Sequence, residues 1–327
     1  MAEKTLVQTL HDTLFEEMAR DDRIIVLGED VGARGGVFRV TMGFLDEFGE
    51  RRVLDTPLDE CLIAGVAIGM ALDGLRPVAE MQFADFIFPA FNQIVSEAAR
   101  IRYRSNGDFG VPLVIRAPYG GGVHGALYHS QSVEAFFAHV PGLKVVAPST
   151  PADAKGMLVA AIEDPDPVLF FEHKKTYRLV KGEVADERYR TELGQAAVRR
   201  AGSDVTCVSY GLMHHYALEA AERLAGDGIE VEVIDLRSIY PLDMDTVLES
   251  VGKTNKVMIV YEDNKFLGVG AEVAAQIGER ALFELDGPIV RIGGPHVPAM
   301  PYSAPLEHWF LPDADRLEQE MRKLAEY

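Results

Sequence analysis

Hydrophobic positions along the chain alternate between two spacings. Leu6, Leu10 and Leu14 recur at helical intervals and predict a helix over 4–20, after which Arg23-Ile24-Ile25-Val26-Leu27 is a continuous strand-like run closing on Gly28-Glu29-Asp30. The same grammar predicts helices over 59–73, 88–104 and 152–163, with strands at 77–82, 112–116, 144–147 and 168–171 between or beside them. Near-continuous apolar strands separated by helices imply parallel sheets covered on both faces, an α/β fold.

Residues 173–194 interrupt this pattern, being charge-dense and poor in periodic apolar positions. Beyond them strands at 204–210, 229–236, 257–261 and 289–292 alternate with helices over 212–224, 244–251 and 269–283, and a final helix begins near 314. We therefore expect two doubly wound domains, 1–180 and 195–327, joined by a linker over 181–194. No short-period repeat is present, which excludes solenoids and propellers.

Composition narrows the functional classes. The 327 residues carry 32 Lys+Arg and 51 Asp+Glu, a formal net charge of −19, with 48% hydrophobic residues. This excludes a disordered or fibrous chain. No basic block stands ready to neutralise phosphates or anionic lipid, so neither nucleic acid nor a membrane surface is an expected partner. The longest apolar run, from Cys61 to Leu72, is 12 residues, short of the roughly 18 that suggest a membrane span. Cys61 and Cys207 lie far apart in apolar stretches without metal-ligand spacing, and two buried free thiols fit a reducing cytoplasm. The N-terminus lacks the continuous apolar segment of a signal peptide.

Two motif matches fail on context. Gly120-Gly121-Gly122-Val123-His124-Gly125 satisfies GxGxxG after a strand, but no helix pattern opens at its third glycine and the next strand ends at Pro148-Ser149 rather than at an acid that would hold a ribose. Gly226-Asp227-Gly228 with Asn255 imitates a GDG…N diphosphate signature, yet a helix precedes it and a strand follows, the reverse of an anion site at a helix N-terminus. It reads as a helix C-terminal turn. The chain then has no diphosphate anchor of its own.

Three segments carry candidate chemistry. In Asp55-Thr56-Pro57-Leu58-Asp59-Glu60, Thr56 as N-cap, Pro57 at the first helical position and Asp59 three residues on form a capping box, which leaves Glu60 without a structural task at the head of an apolar helix. Its charge is favoured by the helix terminus and opposed by desolvation; the plainer account is one more first-turn acid. Gln82-Phe83-Ala84-Asp85-Phe86-Ile87-Phe88-Pro89 follows a parallel strand, where such sheets bind ligands, and its aromatic rings with polar anchors suit a heteroaromatic ring as well as they suit a buried turn. His124-Gly125-Ala126-Leu127-Tyr128-His129-Ser130-Gln131-Ser132 offers an acid/base or oxyanion donor, or simply a satisfied loop histidine; it has no zinc-ligand spacing.

Together with Pro141-Gly142-Leu143-Lys144-Val145-Val146-Ala147-Pro148, these stretches resemble the beta subunits of the thiamine-dependent decarboxylating component of 2-oxo acid dehydrogenase complexes, over essentially the whole chain. The wording from His124 to Gln131 is more similar to branched-chain members than to pyruvate-specific ones. The resemblance implies a pyrimidine-binding N-terminal domain, a transketolase-type C-terminal domain, and an α2β2 heterotetramer sharing thiamine diphosphate, whose magnesium and diphosphate the alpha subunit holds. It implies that Glu60 hydrogen-bonds the aminopyrimidine, promoting the imino tautomer, and that His129 assists at the developing alkoxide and in acyl transfer to a lipoyl-bearing dihydrolipoyl acyltransferase core.

Further positions follow from the same resemblance. Glu29, Leu58, Asp59, Gln82, Phe86, Ile87, Phe88 and Pro89 would line the cofactor, and Phe83, Ala84, Asp85 and Phe86, with His129, the substrate. A structural potassium site maps to Val111, Leu113, Ala161, Asp164 and Asp166. Cytoplasm is the expected compartment, or the mitochondrial matrix for a mature eukaryotic chain. The alternatives are a pyruvate or acetoin dehydrogenase beta subunit, a self-sufficient transketolase-like enzyme and a non-catalytic docking subunit.

Overall fold

A computed structural model describes residues 1–327. Contacts divide the chain into two compact units, one of Met1–Tyr119 with Phe136–Leu193, the other of Gly120–Ala135 with Gly194–Tyr327. Each is an α/β unit built on a largely parallel sheet, as the alternation of patterns leads one to expect.

In the first unit six strands lie parallel in the order Lys144–Val146, Val168–His173, Val114–Tyr119, Arg76–Glu80, Ile24–Gly28 and Val53–Asp55. Ile24–Gly28, Val114–Tyr119 and Val168–His173 are buried at every position, which is why they read as largely apolar runs, broken by Arg116 in the second and closed by Glu172-His173 in the third. Helix Leu6–Arg20 starts at a capping box in which Thr5 and Gln8 exchange hydrogen bonds. Its Leu6, Leu10, Leu14 and Met18 join Ile24, Val26, Met157, Leu158 and Phe170 in one core.

The second unit orders its strands Val290–Gly294, Val257–Asn264, Val205–Ser209, Val231–Asp235 and Ala197–Arg200; the first four are parallel and the last is an antiparallel edge. Helix Gly211–Ala225 and the terminal helix Ala314–Ala325 close one core with Val205, Val233 and Met258 through Ala217, Ala221, Leu317 and Met321. No helix in either unit is long and apolar enough to cross a membrane.

Several expectations change in the structure. The single helix expected over 88–104 is instead 3-10 turns at Ala84–Phe86 and Phe88–Ala90, a π-helical stretch at Gln93–Ala98 and a short α-helix at Ile101–Arg104. The winding shifts where the Ala99 carbonyl lies against Gly142, at which even a Cβ would approach it to 2.0 Å. Cys61 is half-buried rather than buried, whereas Cys207 is buried and desolvation pushes its thiol up. Residues 181–193, expected as linker, pack with the first unit: Lys181–Val184 pairs antiparallel with Ala2–Thr5, and Arg188 bonds Glu17 at 2.7 Å and also pairs with Glu163. Residues 120–135, placed in the first domain by sequence, cluster with the second unit, because Gly121 N–H reaches Glu262 and Glu134 accepts from Tyr210 there.

One buried ionic group runs through the centre of the first sheet. Arg116 interrupts the apolar strand Val114–Tyr119, donating to Glu80 at 2.7 Å and to both oxygens of Glu172 at 2.7 Å, while Tyr177 donates to the same Glu172. Arg116 is 1% exposed, so its removal would strand two carboxylates without solvent. Breaking a buried pair in this way costs about 3–5 kcal/mol. Arg116→Met should therefore lower the melting temperature by roughly 6–20 °C for a unit of this size, measured by thermal unfolding.

Candidate active site

The strand Ile24–Gly28 delivers Glu29 at its C-terminal end, and Val53–Asp55 delivers the turn before Glu60. Thr56 is not the N-cap expected from sequence. Its N–H donates to the Gly28 carbonyl at 3.0 Å, so it prolongs the strand ladder, and Asp59 caps the helix Glu60–Leu72 by accepting from Leu62 N–H at 3.0 Å. Glu60 is thus the first helical residue, 7% exposed at the positive end of the helix dipole.

Glu29 is 8% exposed, and its carboxyl is raised above the ordinary value chiefly by burial, then by the charges of Glu60 and Asp30. Two acids therefore share one field. Glu29 Oε1, Thr56 Oγ1 and Gln93 Oε1 are buried with no hydrogen-bond partner. Thr56 is tied to Gly28 beside Glu29, and Gln93 donates to Cys61 beside Glu60 at 2.8 Å, so these atoms bracket the head of the helix. Acceptors buried without donors fit a ligand carrying N–H groups, as an aminopyrimidine does. Gln93 escaped the sequence reading, because a lone Gln in an irregular helix carries no motif.

The stretch after Arg76–Glu80 places Phe83 and Phe86 edge to face at 5.7 Å, with Phe38 packed on Phe83 at 5.6 Å. Lys174, 5% exposed, sits 5.7 Å above the Phe83 ring. Ala84 and Ile87 are fully buried; Gln82 and Asp85 are half-buried. Leu58, Asp59, Phe88 and Pro89 are exposed in this chain, with Leu58 at 81%.

His129 belongs to the second unit, whereas Glu60 belongs to the first. It ends the 3-10 turn Ala126–Tyr128 and is half-buried. Gly120 N–H donates to the Gln131 carbonyl at 3.0 Å, closing the neck of the loop. Gly125 lies directly against His129: a Cβ there would meet the His129 carbonyl at 2.6 Å and its Cβ at 2.8 Å. His124 and Ala126 take positive φ, 57° and 56°.

Two acids far away in sequence receive the loop's amides. Gly121 N–H donates to Glu262 Oε1, and Ser132 Oγ donates to the same oxygen at 3.5 Å. Gly122 and His124 N–H donate to Glu307 Oε1 at 3.0 and 3.2 Å, while His124 Nδ1 lies 2.6 Å from Glu307 Oε2. Both carboxylates are 3% exposed. The amides of the GxGxxG match are thus turned to protein acids rather than offered to a dinucleotide. Sequence reading missed these acids, although Glu262-Asp263 at the end of an apolar strand was an available signal.

The second imitated motif is also structural. Gly226 caps helix Gly211–Ala225, Asp227 pairs with Arg322 at 2.6 Å, and Asn255 is the left-handed C-cap of Met244–Thr254. At the positions mapped to potassium, Lys144 bonds both oxygens of Asp164 at 2.6 Å and Arg102 pairs with Asp166. The Leu113 carbonyl accepts Val168 N–H at 2.9 Å and the Ala161 carbonyl accepts Asp164 N–H at 3.3 Å. Protein cations already neutralise both acids, so neither carboxylate is left unpaired for an alkali ion. A groove of about 890 Å³ in the second unit, bordered by Lys265, Phe266, Arg291 and Trp309, contains none of the expected site residues.

This architecture defines a transketolase-type chain. The family model for the transketolase pyrimidine-binding domain matches residues 2–180, and that for the transketolase C-terminal domain matches residues 194–317. A solved structure of a split-gene transketolase, described as an inactive β4 tetramer, superposes with a TM-score of 0.79 at 25% identity over 98% of each chain. The chain is 58% identical to the 2-oxoisovalerate dehydrogenase subunit beta of Bacillus subtilis (strain 168) and 46% identical to the pyruvate dehydrogenase E1 component subunit beta of the same strain, each over 100% of both chains. It belongs to the family of 2-oxo acid dehydrogenase beta subunits.

The second unit also contains a pH-sensitive acid. Burial pushes the Glu134 carboxyl up to about 8, with the Asp263 charge adding and the Tyr210 hydrogen bond opposing; burial likewise raises Asp263 to about 6. The folded chain keeps a proton on Glu134 that the unfolded chain releases near 4.5, so this stability is complete below that value and is lost as pH rises through about 8. Glu134→Gln should flatten that decline, melting above the parent chain at roughly pH 9 and not at pH 5, as followed by thermal unfolding across the range.

Proposed function

We propose that this chain is the beta subunit of a branched-chain 2-oxo acid dehydrogenase, acting with an alpha subunit in an α2β2 heterotetramer on a lipoyl-bearing acyltransferase core. The observation that carries the reading is Glu60, buried at the head of its helix beside Glu29, whose raised carboxyl has an oxygen without a partner. Similarity to the 2-oxoisovalerate dehydrogenase chain, at 58% against 46% for the pyruvate dehydrogenase chain, supports the branched-chain substrate.

Thiamine diphosphate, when bound, supplies the electron sink that accepts the pair released by decarboxylation. The chain's own part is to hold the pyrimidine. Glu60 shares a proton with the ring nitrogen, which promotes the imino tautomer. Glu29 Oε1 and Gln93 Oε1 are acceptors for ring or amino N–H groups, and Phe86 packs on the ring face. Phe83, Ala84 and Asp85 border the substrate. His129 donates to the developing alkoxide and assists acyl transfer to the lipoyl sulfur. Magnesium and the diphosphate fall to the alpha subunit, since Gly226-Asp227-Gly228 is a helix C-terminal turn.

In the tetramer reconstituted with its alpha chain, Glu60→Gln should lower kcat for decarboxylation at least about 100-fold. A docking subunit without catalytic residues would tolerate the change. The specificity constant for 3-methyl-2-oxobutanoate should exceed that for pyruvate by roughly 10-fold or more, since extra methylenes in an apolar pocket are worth about 1–3 kcal/mol. Preference for pyruvate would assign the chain to the other branch of the family.

A further inference from the structure

We propose that Glu307 and Glu262 are positioning residues that hold the glycine-rich loop in the one arrangement that presents His129. The inference rests on the reading of His129 given above and names what orients it. Glu307 accepts two backbone N–H groups, from Gly122 and His124, and its other oxygen contacts the His124 ring. Glu262 takes the N–H of Gly121 and the hydroxyl of Ser132, so it ties the two arms of the loop together. Charge-assisted hydrogen bonds of this kind are about twice as strong as neutral ones, and the 3% exposure of both acids removes the competition from water.

The chain of contacts leads to His129. Gly122 and His124 are fixed by Glu307, Gly125 follows His124, and Gly125 leaves no room for even a methyl group against the backbone and Cβ of His129. A loop with positive φ at His124 and Ala126 has no sheet ladder to maintain it. Without the carboxylate, three polar groups lose their acceptor and the loop has several alternative conformations. A displacement of about 1 Å at a reacting group costs on the order of 100-fold in rate. Neither acid needs to touch substrate to matter.

The test uses the assembled tetramer carrying Glu307→Ala, Glu307→Asp, Glu307→Gln, His129→Ala and the double change His129→Ala with Glu307→Ala. Rates are read as reductive acylation of a free lipoyl domain, and loop order as amide hydrogen exchange over 120–133. Glu307→Ala should lose at least about 10-fold in kcat with little change in KM for the oxo acid, and its loop amides should exchange at least about 10-fold faster. Glu307→Gln, which keeps an oxygen for the two N–H groups, should recover most of the rate. Because Glu307 acts through His129, the double variant should be no slower than His129→Ala alone, within about 2-fold.

Additive losses in the double variant, or Glu307→Ala at the parent rate, would overturn the proposal while His129 kept its role. A fully active His129→Ala would instead remove the reading on which it rests, and the proposal with it. Should Glu307→Ala fail to assemble, Glu307→Asp decides: the shortened side chain should slow acyl transfer several-fold and loosen the loop amides, and parent behaviour in both readouts would count against positioning.

Discussion

A parallel sheet covered on both faces leaves a carboxylate two places to be: paired inside, or at the C-terminal end of a strand, where the ladder stops and backbone dipoles change direction. Both places are used in this chain. Glu80 and Glu172 lie within the first sheet and are neutralised by Arg116, which is deeply buried and forked between them. Glu29 follows the end of Ile24–Gly28, and Glu262 and Asp263 lie near the end of Val257–Asn264. Glu80 and Glu172 are satisfied by guanidinium, whereas Glu29 keeps an oxygen without a partner.

The two units resolve their strand-end acids differently. In the first, Glu29 lies in the field of Glu60, and burial, followed by the charges of Glu60 and Asp30, raises its carboxyl. On the proposed reading an aminopyrimidine donates to the first acid and hydrogen-bonds the second. In the second unit Glu262 and Glu307 are met by backbone amides, and Glu134 by the Tyr210 hydroxyl at 2.6 Å. Those acids are committed to the protein itself. Unpaired acceptors mark where a ligand fits; paired ones mark what holds the frame.

Most strands and helices were legible because apolar runs and helical repeats coincide with capping chemistry at several junctions, as in Thr5 to Gln8 or Thr150 before Pro151. Val53–Asp55 and Ala197–Arg200 were not, being short edge strands with exposed positions and no buried alternation to detect. The 88–104 region has helical composition, but its winding changes to a π-helical stretch at Gln93–Ala98, next to the close approach of the Ala99 carbonyl to Gly142, and no local pattern announces it. Thr56 satisfies the capping rule, but the helix begins later, at Glu60 with Asp59 as its cap, and Thr56 N–H bonds the Gly28 carbonyl. Glu60 stood out for lack of a local task. Glu307 could not, since its partners are more than 180 residues away and a single acid in a short helix has no sequence signature.

The glycine-rich loop shows why a motif needs its surroundings. Consecutive amides with glycine freedom form a concave donor set that binds any compact anion, a phosphate in one protein and a carboxylate in another. In a phosphate site those amides open toward solvent at the start of a helix. Here they close on Glu262 and Glu307, each 3% exposed, and no helix begins at the third glycine. The anion is built into the fold. On the proposed reading such a loop is set by contacts rather than by binding, and His129 would be oriented before any ligand arrives. Fixed donors aimed at developing charge avoid the reorganisation that water would require, and a clamp of buried acids on backbone amides is a physically economical way to achieve that rigidity.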